Sequence, residues 1–261
     1  MTGTPMGSLT VIGLGPGPDR WLTPEVADVL AHATDLVGYG PYLDRIPHSA
    51  FHRRHGSDNR VELSRARLAL DLAVSGRRVA LVSGGDPGVF AMASALFEAL
   101  ESGGDPAWAE VPVRVCPGVS AMLAAAARVG APLGHDFCVL SLSDNLKPWD
   151  LVLKRLRLAA EGDLVIALYN PISKARPWQL GAALDTLRTL KDPATPVVLA
   201  RAVGRHDEDV TITTLADCDP ATADMRTLVL IGSSQTRLLP KGGDGDVWVY
   251  TPRSYAAVGD R

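Results

Sequence analysis

The chain is poor in cysteine, and the three it has, Cys116, Cys138 and Cys218, are too far apart to form a CxxC pair or a disulfide framework. That spacing excludes the usual cysteine-bound zinc and iron–sulfur patterns and leads us to expect a reducing, cytoplasmic setting and no metal ion. Long apolar runs are missing too. None approaches the ~20 residues that a membrane-spanning helix requires. The opening MTGTPMGSLT lacks the charged-then-apolar pattern of a secretory signal. A soluble intracellular chain with no membrane partner is therefore expected. Positive charge is not in excess: the net charge is -3, so nucleic acid would find no overall electrostatic footprint. There is no GKS or GKT phosphate loop, and no Ser-His-Asp order or close carboxylate pair stands out.

What the chain does contain is alternation. Short apolar runs, LTVIGL (9–14), DLVGY (35–39) and RVALVS (78–83), are separated by longer helical patterns. Thr23 is a helix N-cap with Pro24 in the first turn. The segment 60–75 has Val61, Leu68 and Leu72 on one stripe and Gly76 as its stop. HRRHGSDNR (52–60) has neither pattern and is expected to be a basic loop. After Pro117-Gly118 comes a helix of small residues (119–130), and the alternation restarts with FCVLSL, LVIALY, TPVVLA, VTITT and TLVLIG. The expected architecture is two α/β domains, 1–118 and 119–240, followed by a tail, 241–261; the first half has the pattern of a mostly parallel sheet.

Two glycine-rich turns follow strand candidates. GLGPGPD (13–19) suggests a dinucleotide loop, but the third glycine of that fingerprint would fall at 18, which is Pro18. The acidic residue that should end the second strand begins it instead, as Asp35. The other turn, SGGDPGVF (83–90), bares backbone at Gly84, Gly85 and Gly88 around Asp86, at the end of a strand where open α/β sheets bind ligands.

GLGPG with LTPE (22–25), GGDP (84–87), PGVSA (117–121) and LYNP (168–171), occurring in this order, resemble the tetrapyrrole methylase family. The resemblance extends from about residue 9 to 239. GYGPYLD (38–44), SGGDPGVFAMA (83–93), HDFCVLSLSD (135–144), ALYNPIS (167–173) and VTITTL (210–215) bring the chain nearest to the members that methylate a corrin precursor at C17 and contract its ring in vitamin B12 biosynthesis.

The family implies two α/β domains of the class III methyltransferase type with the active site in the cleft between them. It also implies S-adenosylmethionine as methyl donor with S-adenosylhomocysteine as product, a small tetrapyrrole substrate and a homodimer. Matched to the family's motifs, the donor would be held by Gly84, Gly85, Asp86, Val89, Ala91, Ser120, Ala121, Tyr169, Asn170, Ala202, Val203, Thr227 and Leu228. Relatives tend to carry asparagine where this chain has Ala202. The acidic macrocycle would meet Gly15, Pro16, Gly17 and the basic residues Arg53, Arg54 and Arg60. Candidates for moving a proton during ring contraction are Asp86, His135, Asp144, Tyr39 and Tyr42, none singled out by its surroundings in sequence. Residue chemistry leaves open whether the substrate carries cobalt, and whether the protein is a sister methylase or a non-catalytic binder of donor or tetrapyrrole.

Overall fold

In the computed structural model, residues 6–242 and 246–255 are described. The chain divides into two compact units, Met1–Ala121 and Met122–Arg261.

The first unit runs β1 (Ser8–Gly13), α1 (Pro24–His32), β2 (Asp35–Tyr39), α2 (Gly40–Leu43), β3 (Arg53–Ser57), α3 (Glu62–Val74), β4 (Arg78–Ser83), α4 (Met92–Ser102) and β5 (Val113–Cys116). The strands form one sheet in the order β3-β2-β4-β1-β5, and every pairing is parallel. All five carboxyl ends therefore share one edge, from which the connections to the helices leave. β1, β2 and β4 are buried almost throughout, which is why they read as continuous apolar runs.

β3 corrects one expectation. RRHGS was expected to be loop, yet it pairs residue for residue with β2 from Arg53 opposite Asp35 to Ser57 opposite Tyr39. It is an edge strand with no fully buried residue, so its hydrogen bonds hold it without an apolar signature. A second correction concerns α3. Val61 and Leu68 are exposed, and the buried face is instead Arg65, Ala66, Ala69, Leu70 and Ala73. These fall at helical spacing, and Ala66, Ala69, Leu70 and Ala73 share one core with Ala93, Ala95, Leu96 and Ala99 of α4. The ends of the helices follow the expected chemistry. Thr23 accepts a hydrogen bond from Val26 N at 3.3 Å, with Pro24 in the first turn. α3 closes with Gly76 N to Ala73 O at 3.0 Å and Arg77 N to Leu72 O at 3.1 Å, and Gly76 is left-handed at φ 86°.

α5 (Ala121–Val129) begins at the division between the units. The second unit continues with β6 (Gly130–Ala131), β7 (Phe137–Ser141), α6 (Trp149–Glu161), β8 (Val165–Tyr169), α7 (Gln179–Arg188), β9 (Pro196–Arg201), β10 (Asp209–Thr214), β11 (Thr227–Ile231), β12 (Arg237–Pro240) and β13 (Val247–Tyr250). Its main sheet has the order β10-β9-β11-β8-β7; only β7 and β8 are parallel, the other pairings being antiparallel. α6 and α7 pack against it through Leu156, Leu180, Leu184 and Leu187. A second small sheet, β12-β13-β6, takes in part of the segment expected as a tail; residues 243–245 and 256–261 of that segment lie outside the described residues.

Candidate active site

At the carboxyl edge of the first sheet the two glycine turns prove to be one structure. Gly15 N donates to Gly85 O at 3.1 Å and Gly85 N donates to Gly15 O at 3.2 Å. Both glycines are left-handed, at φ 64° and 62°, a conformation that a β-carbon disfavours. The PGVSA turn after β5 closes on the same point. A β-carbon on Gly118 would stand 2.3 Å from Gly85 O, and one on Gly13 would stand 2.5 Å from the same oxygen. Thus the bare backbone of Gly13 and Gly118 serves the approach of three connections to one another. At Gly84 the vacated volume belongs to the Tyr42 ring, whose Cζ would lie 2.7 Å from a β-carbon. Gly85 differs: a β-carbon there would meet only Val119 O, at 3.9 Å. Unlike Gly13, Gly84 and Gly118, it leaves space beside the backbone.

Asp86 links these turns. Its Oδ1 accepts from Gly88 N at 2.8 Å and its Oδ2 from Gly118 N at 3.0 Å. Both oxygens of a half-buried carboxylate are thereby engaged by backbone N–H groups. Val89 and Ala91 are half-buried between this turn and α4, Ser120 is buried, and Ala121 opens α5. Tyr39 ends β2 and Tyr42 lies in α2, their rings edge to face with centroids 5.4 Å apart. These residues all gather at the one sheet edge.

The proposed macrocycle contacts separate. Gly15, Pro16 and Gly17 lie at the same edge, but the carbonyls of Leu14, Gly15 and Gly17 accept from the Arg45 guanidinium at 3.0, 2.9 and 2.9 Å. Arg45 was not foreseen, because nothing in GYGPYLDR distinguishes a loop clamp from a surface arginine. Arg54 is a staple of the same kind, donating to the carbonyls of Leu43, Ile46 and Pro47, each at 2.7 Å. Arg53 is exposed at the opening of β3, the opposite end of the sheet from the glycine turns. Arg60 lies beyond the carboxyl end of β3, exposed and left-handed at φ 68°. At the far edge, Asp35 is fully buried between His55 Nε2 at 2.9 Å and Arg77 Nε at 2.7 Å. Burial alone would raise its pKa, but hydrogen bonds from His55, Thr34 and Arg77 outweigh burial and hold the carboxyl below its ordinary range. The acidic residue at the start of β2 is thus part of the frame.

In the second unit, Tyr169, Asn170, Ala202, Val203, Thr227 and Leu228 share one end of the main sheet, because β8 and β9 finish where the antiparallel β11 begins. Tyr169 OH accepts from Met122 N at 3.0 Å. Asn170 is left-handed at φ 52°, its side chain donating to Ser141 Oγ at 3.0 Å. Ala202 is also left-handed, at φ 49°. Asparagine adopts that conformation more readily than other non-glycine residues, so an asparagine at this position would suit the backbone. Val203 and Leu228 are buried, and the Thr227 hydroxyl is engaged with Asp224 at 3.0 Å. Asp144 joins this group after β7, accepting from Gln179 Nε2 at 3.1 Å. His135 does not. It precedes β7, at the other end of the strand, with its ring edge to face against Tyr255 at 5.1 Å.

Among the described residues no three His, Cys, Asp or Glu side chains are grouped to hold a metal ion, and no helix is long and apolar enough to cross a membrane.

Comparison with known proteins adds to this geometry. Over 253 residues the chain is 55% identical to a precorrin-3B C(17)-methyltransferase of Sinorhizobium sp., covering 97% of this chain and 98% of that protein. It is 51% identical to the cobalamin biosynthesis protein CobIJ of Mycobacterium tuberculosis, but spans only 49% of that longer protein. A probable cobalt-factor III C(17)-methyltransferase of Salmonella typhimurium is 38% identical, over 95% of this chain and 99% of that one. Among solved structures, that of the methyltransferase CobJ superposes with a TM-score of 0.88 at 53% identity, covering 94% of this chain and 100% of that chain. A uroporphyrin-III C-methyl transferase from Thermus thermophilus, complexed with S-adenyl homocysteine, shares the fold at 21% identity and a TM-score of 0.64, over 87% of this chain and 97% of that one. The model of the tetrapyrrole (corrin/porphyrin) methylases matches residues 8–219, and on that match and these likenesses the chain belongs to the tetrapyrrole methylase family.

Proposed function

We propose that the protein is an S-adenosylmethionine-dependent C-methyltransferase that methylates precorrin-3B at C17 with contraction of the ring. The observation that carries this reading is the 55% identity, across nearly the full length of both chains, to a precorrin-3B C(17)-methyltransferase. The first-unit turns fit such a donor in one specific respect. At Gly85 the backbone is bare and the space beside it is not taken by the protein, unlike at Gly13, Gly84 and Gly118.

The donor supplies a methyl group on a sulfonium, whose positive charge disperses as a carbon nucleophile attacks. The residues proposed to face it are Gly84, Gly85, Asp86, Val89, Ala91, Ser120 and Ala121 in the first unit. Tyr169, Asn170, Ala202, Val203, Thr227 and Leu228 are the second unit's candidates. Their task is alignment, which lowers the barrier by holding reacting atoms at contact distance. Asp86 serves by holding the Gly84–Gly88 and Gly118 turns in register through its two accepted hydrogen bonds. Gly15, Pro16, Gly17 and Arg60, at the same sheet edge, are the first unit's macrocycle-facing candidates. Arg54 is a structural staple in this reading, and Arg53 lies away from the substrate. Of the proton-handling candidates, Tyr39 and Tyr42 stand at the glycine turns and Asp144 at the corresponding end of the second sheet, while His135 drops out. The three cysteines are unpaired, consistent with a reducing cytoplasm, and the family resemblance points to a homodimer.

The test is turnover. Purified protein with methyl-labelled donor should label precorrin-3B at C17 and yield the contracted ring. Label appearing only with cobalt-factor III would change the substrate but not the reaction class. No transfer to either macrocycle would overturn the enzyme reading.

A further inference from the structure

Several cations of the second unit are matched by carboxylates. Arg128 meets Glu208 at 2.6 Å, Arg188 meets Asp185 at 2.9 Å, and Arg201 meets Asp224 at 2.8 Å. Lys147, Arg155 and Arg176 are different: among the described residues none of them has an ion-pair partner, and they are neighbours. Lys147 lies in the connection from β7 to α6, Arg155 on α6, and Arg176 in the connection from β8 to α7. Because β7 and β8 are adjacent and parallel, both connections leave the same end of the sheet. That is the end carrying Tyr169 and Asn170.

The arrangement carries unfulfilled chemistry. Arg176 is only 7% exposed; its Nη1 donates to Asn170 O at 3.1 Å, while its Nε is enclosed without an acceptor. Gln179, three residues on and 1% exposed, donates to Asp144 Oδ2, yet its own Oε1 has no donor. Burial, then the charges of Arg155 and Arg176, hold the Lys147 ammonium below the usual lysine range, with Asp144 alone opposing them. A buried N–H with no acceptor is unfavourable, and so is a cluster of like charges. An incoming carboxylate relieves both, since it accepts from a guanidinium fork and an ammonium together.

We infer that Lys147, Arg155 and Arg176 form a subsite for a carboxylate side chain of the macrocyclic substrate. This inference rests on the proposed tetrapyrrole substrate. The methyl donor also ends in a carboxylate, but that group is flanked by an α-ammonium and a sulfonium, which three cations would repel. A side-chain carboxylate of the macrocycle has no such neighbour. The subsite also gives the second unit the basic contact that Arg53 and Arg54 do not supply in the first.

Binding separates the two sources of carboxylate. Uroporphyrin III, a polycarboxylate tetrapyrrole, is titrated into the full-length protein by fluorescence, and S-adenosylhomocysteine by calorimetry. Lys147→Met and Arg155→Gln avoid the buried arginine, Arg176→Gln tests it, and Lys154→Met on the exposed face of α6 is the charge-matched control. Each subsite variant is expected to weaken porphyrin binding about tenfold, the size of one charge-assisted hydrogen bond. Each should also flatten the salt dependence, and Lys147→Met and Arg155→Gln should leave S-adenosylhomocysteine affinity unchanged and raise KM for precorrin-3B far more than they lower kcat. Lys154→Met should match wild type. Unchanged porphyrin affinity in both Lys147→Met and Arg155→Gln overturns the subsite, as does a wild type that binds no porphyrin. An equal loss of S-adenosylhomocysteine affinity in Lys147→Met and Arg155→Gln overturns it in favour of the donor's carboxylate. A wild type that binds porphyrin but transfers no methyl group sinks the proposed reaction alone, and the variant titrations still decide the subsite.

Discussion

One added methyl group at position 118 should pull the glycine turns of the first unit apart. A β-carbon there would lie 2.3 Å from Gly85 O and 2.8 Å from Gly13 O, whereas carbon and oxygen rest comfortably only beyond about 3.3 Å. Both obstacles are backbone, so no side-chain rotation relieves them, and the turns must separate by about 1 Å. The bonds that this stretches are Gly15 N to Gly85 O at 3.1 Å, Gly85 N to Gly15 O at 3.2 Å, and Gly118 N to Asp86 Oδ2 at 3.0 Å. Overpacking costs about 1–3 kcal/mol, and weakening a charge-assisted hydrogen bond adds about 1 kcal/mol. A total of about 3 kcal/mol, at about 4 °C per kcal/mol for a unit of this size, lowers Tm by about 12 °C. Gly84→Ala is the matched control: its β-carbon meets the Tyr42 ring at 2.7 Å, and a side chain can swing aside, so the loss should stay below about 1.5 kcal/mol. Circular dichroism melts with an S-adenosylhomocysteine titration read both outcomes. Gly118→Ala melting within about 2 °C of wild type and binding the ligand normally would refute the reasoning.

Three further outcomes follow from the same structure. Asp86→Asn keeps one acceptor but turns an amide N–H towards a backbone N–H, so stability should fall by about 1–3 kcal/mol and kcat with it; a pH–rate profile that loses a limb while the melt stays unchanged would instead give Asp86 a proton-transfer role. Asp35 has its pKa held down, so its contribution to stability is full above the unfolded carboxylate value of about 4 and is lost as pH falls through the folded value. Asp35→Ala should therefore cost about 3–5 kcal/mol near neutrality and flatten the acid limb of a stability-against-pH curve; an unaltered acid limb would contradict this. Burial raises the thiol pKa of all three cysteines, that of Cys138 to about 11, so a chromogenic disulfide at pH 8 should label the native protein slowly and the denatured protein at once. Rapid labelling of native protein would count against it.

Much of the first unit was legible because buried parallel strands must be apolar on both faces, so β1, β2 and β4 stood out as short hydrophobic runs. β3 did not, since a polar edge strand is held by main-chain bonds to β2 that composition does not report. The α3 stripe misled for a related reason. Leucine carries the stronger apolar signal, but the helix packs closely on α4 through alanines, and the bulkier Leu68 is left in water. The mainly antiparallel pairing of the second sheet left no trace in the runs themselves, because an apolar strand reads alike in either direction.

The sequence by itself determined the alternation, the capping at Thr23 and Gly76, the rejection of a nucleotide fingerprint at 13–19, and the motif order that marks the family. All of these are local patterns, set by periodicity, turn chemistry or spacing along the chain. Only the tertiary structure decided what each bare or charged group faces. It gave the space at Gly13 and Gly118 to neighbouring backbone and that at Gly84 to Tyr42, leaving Gly85 open. It turned Arg45 and Arg54 into loop clamps and gathered Lys147, Arg155 and Arg176 at one sheet end. Glycine and arginine look the same in sequence whether they serve the fold or a ligand, since what fills the space beside a Cα, or accepts from a guanidinium, comes from residues distant in the chain.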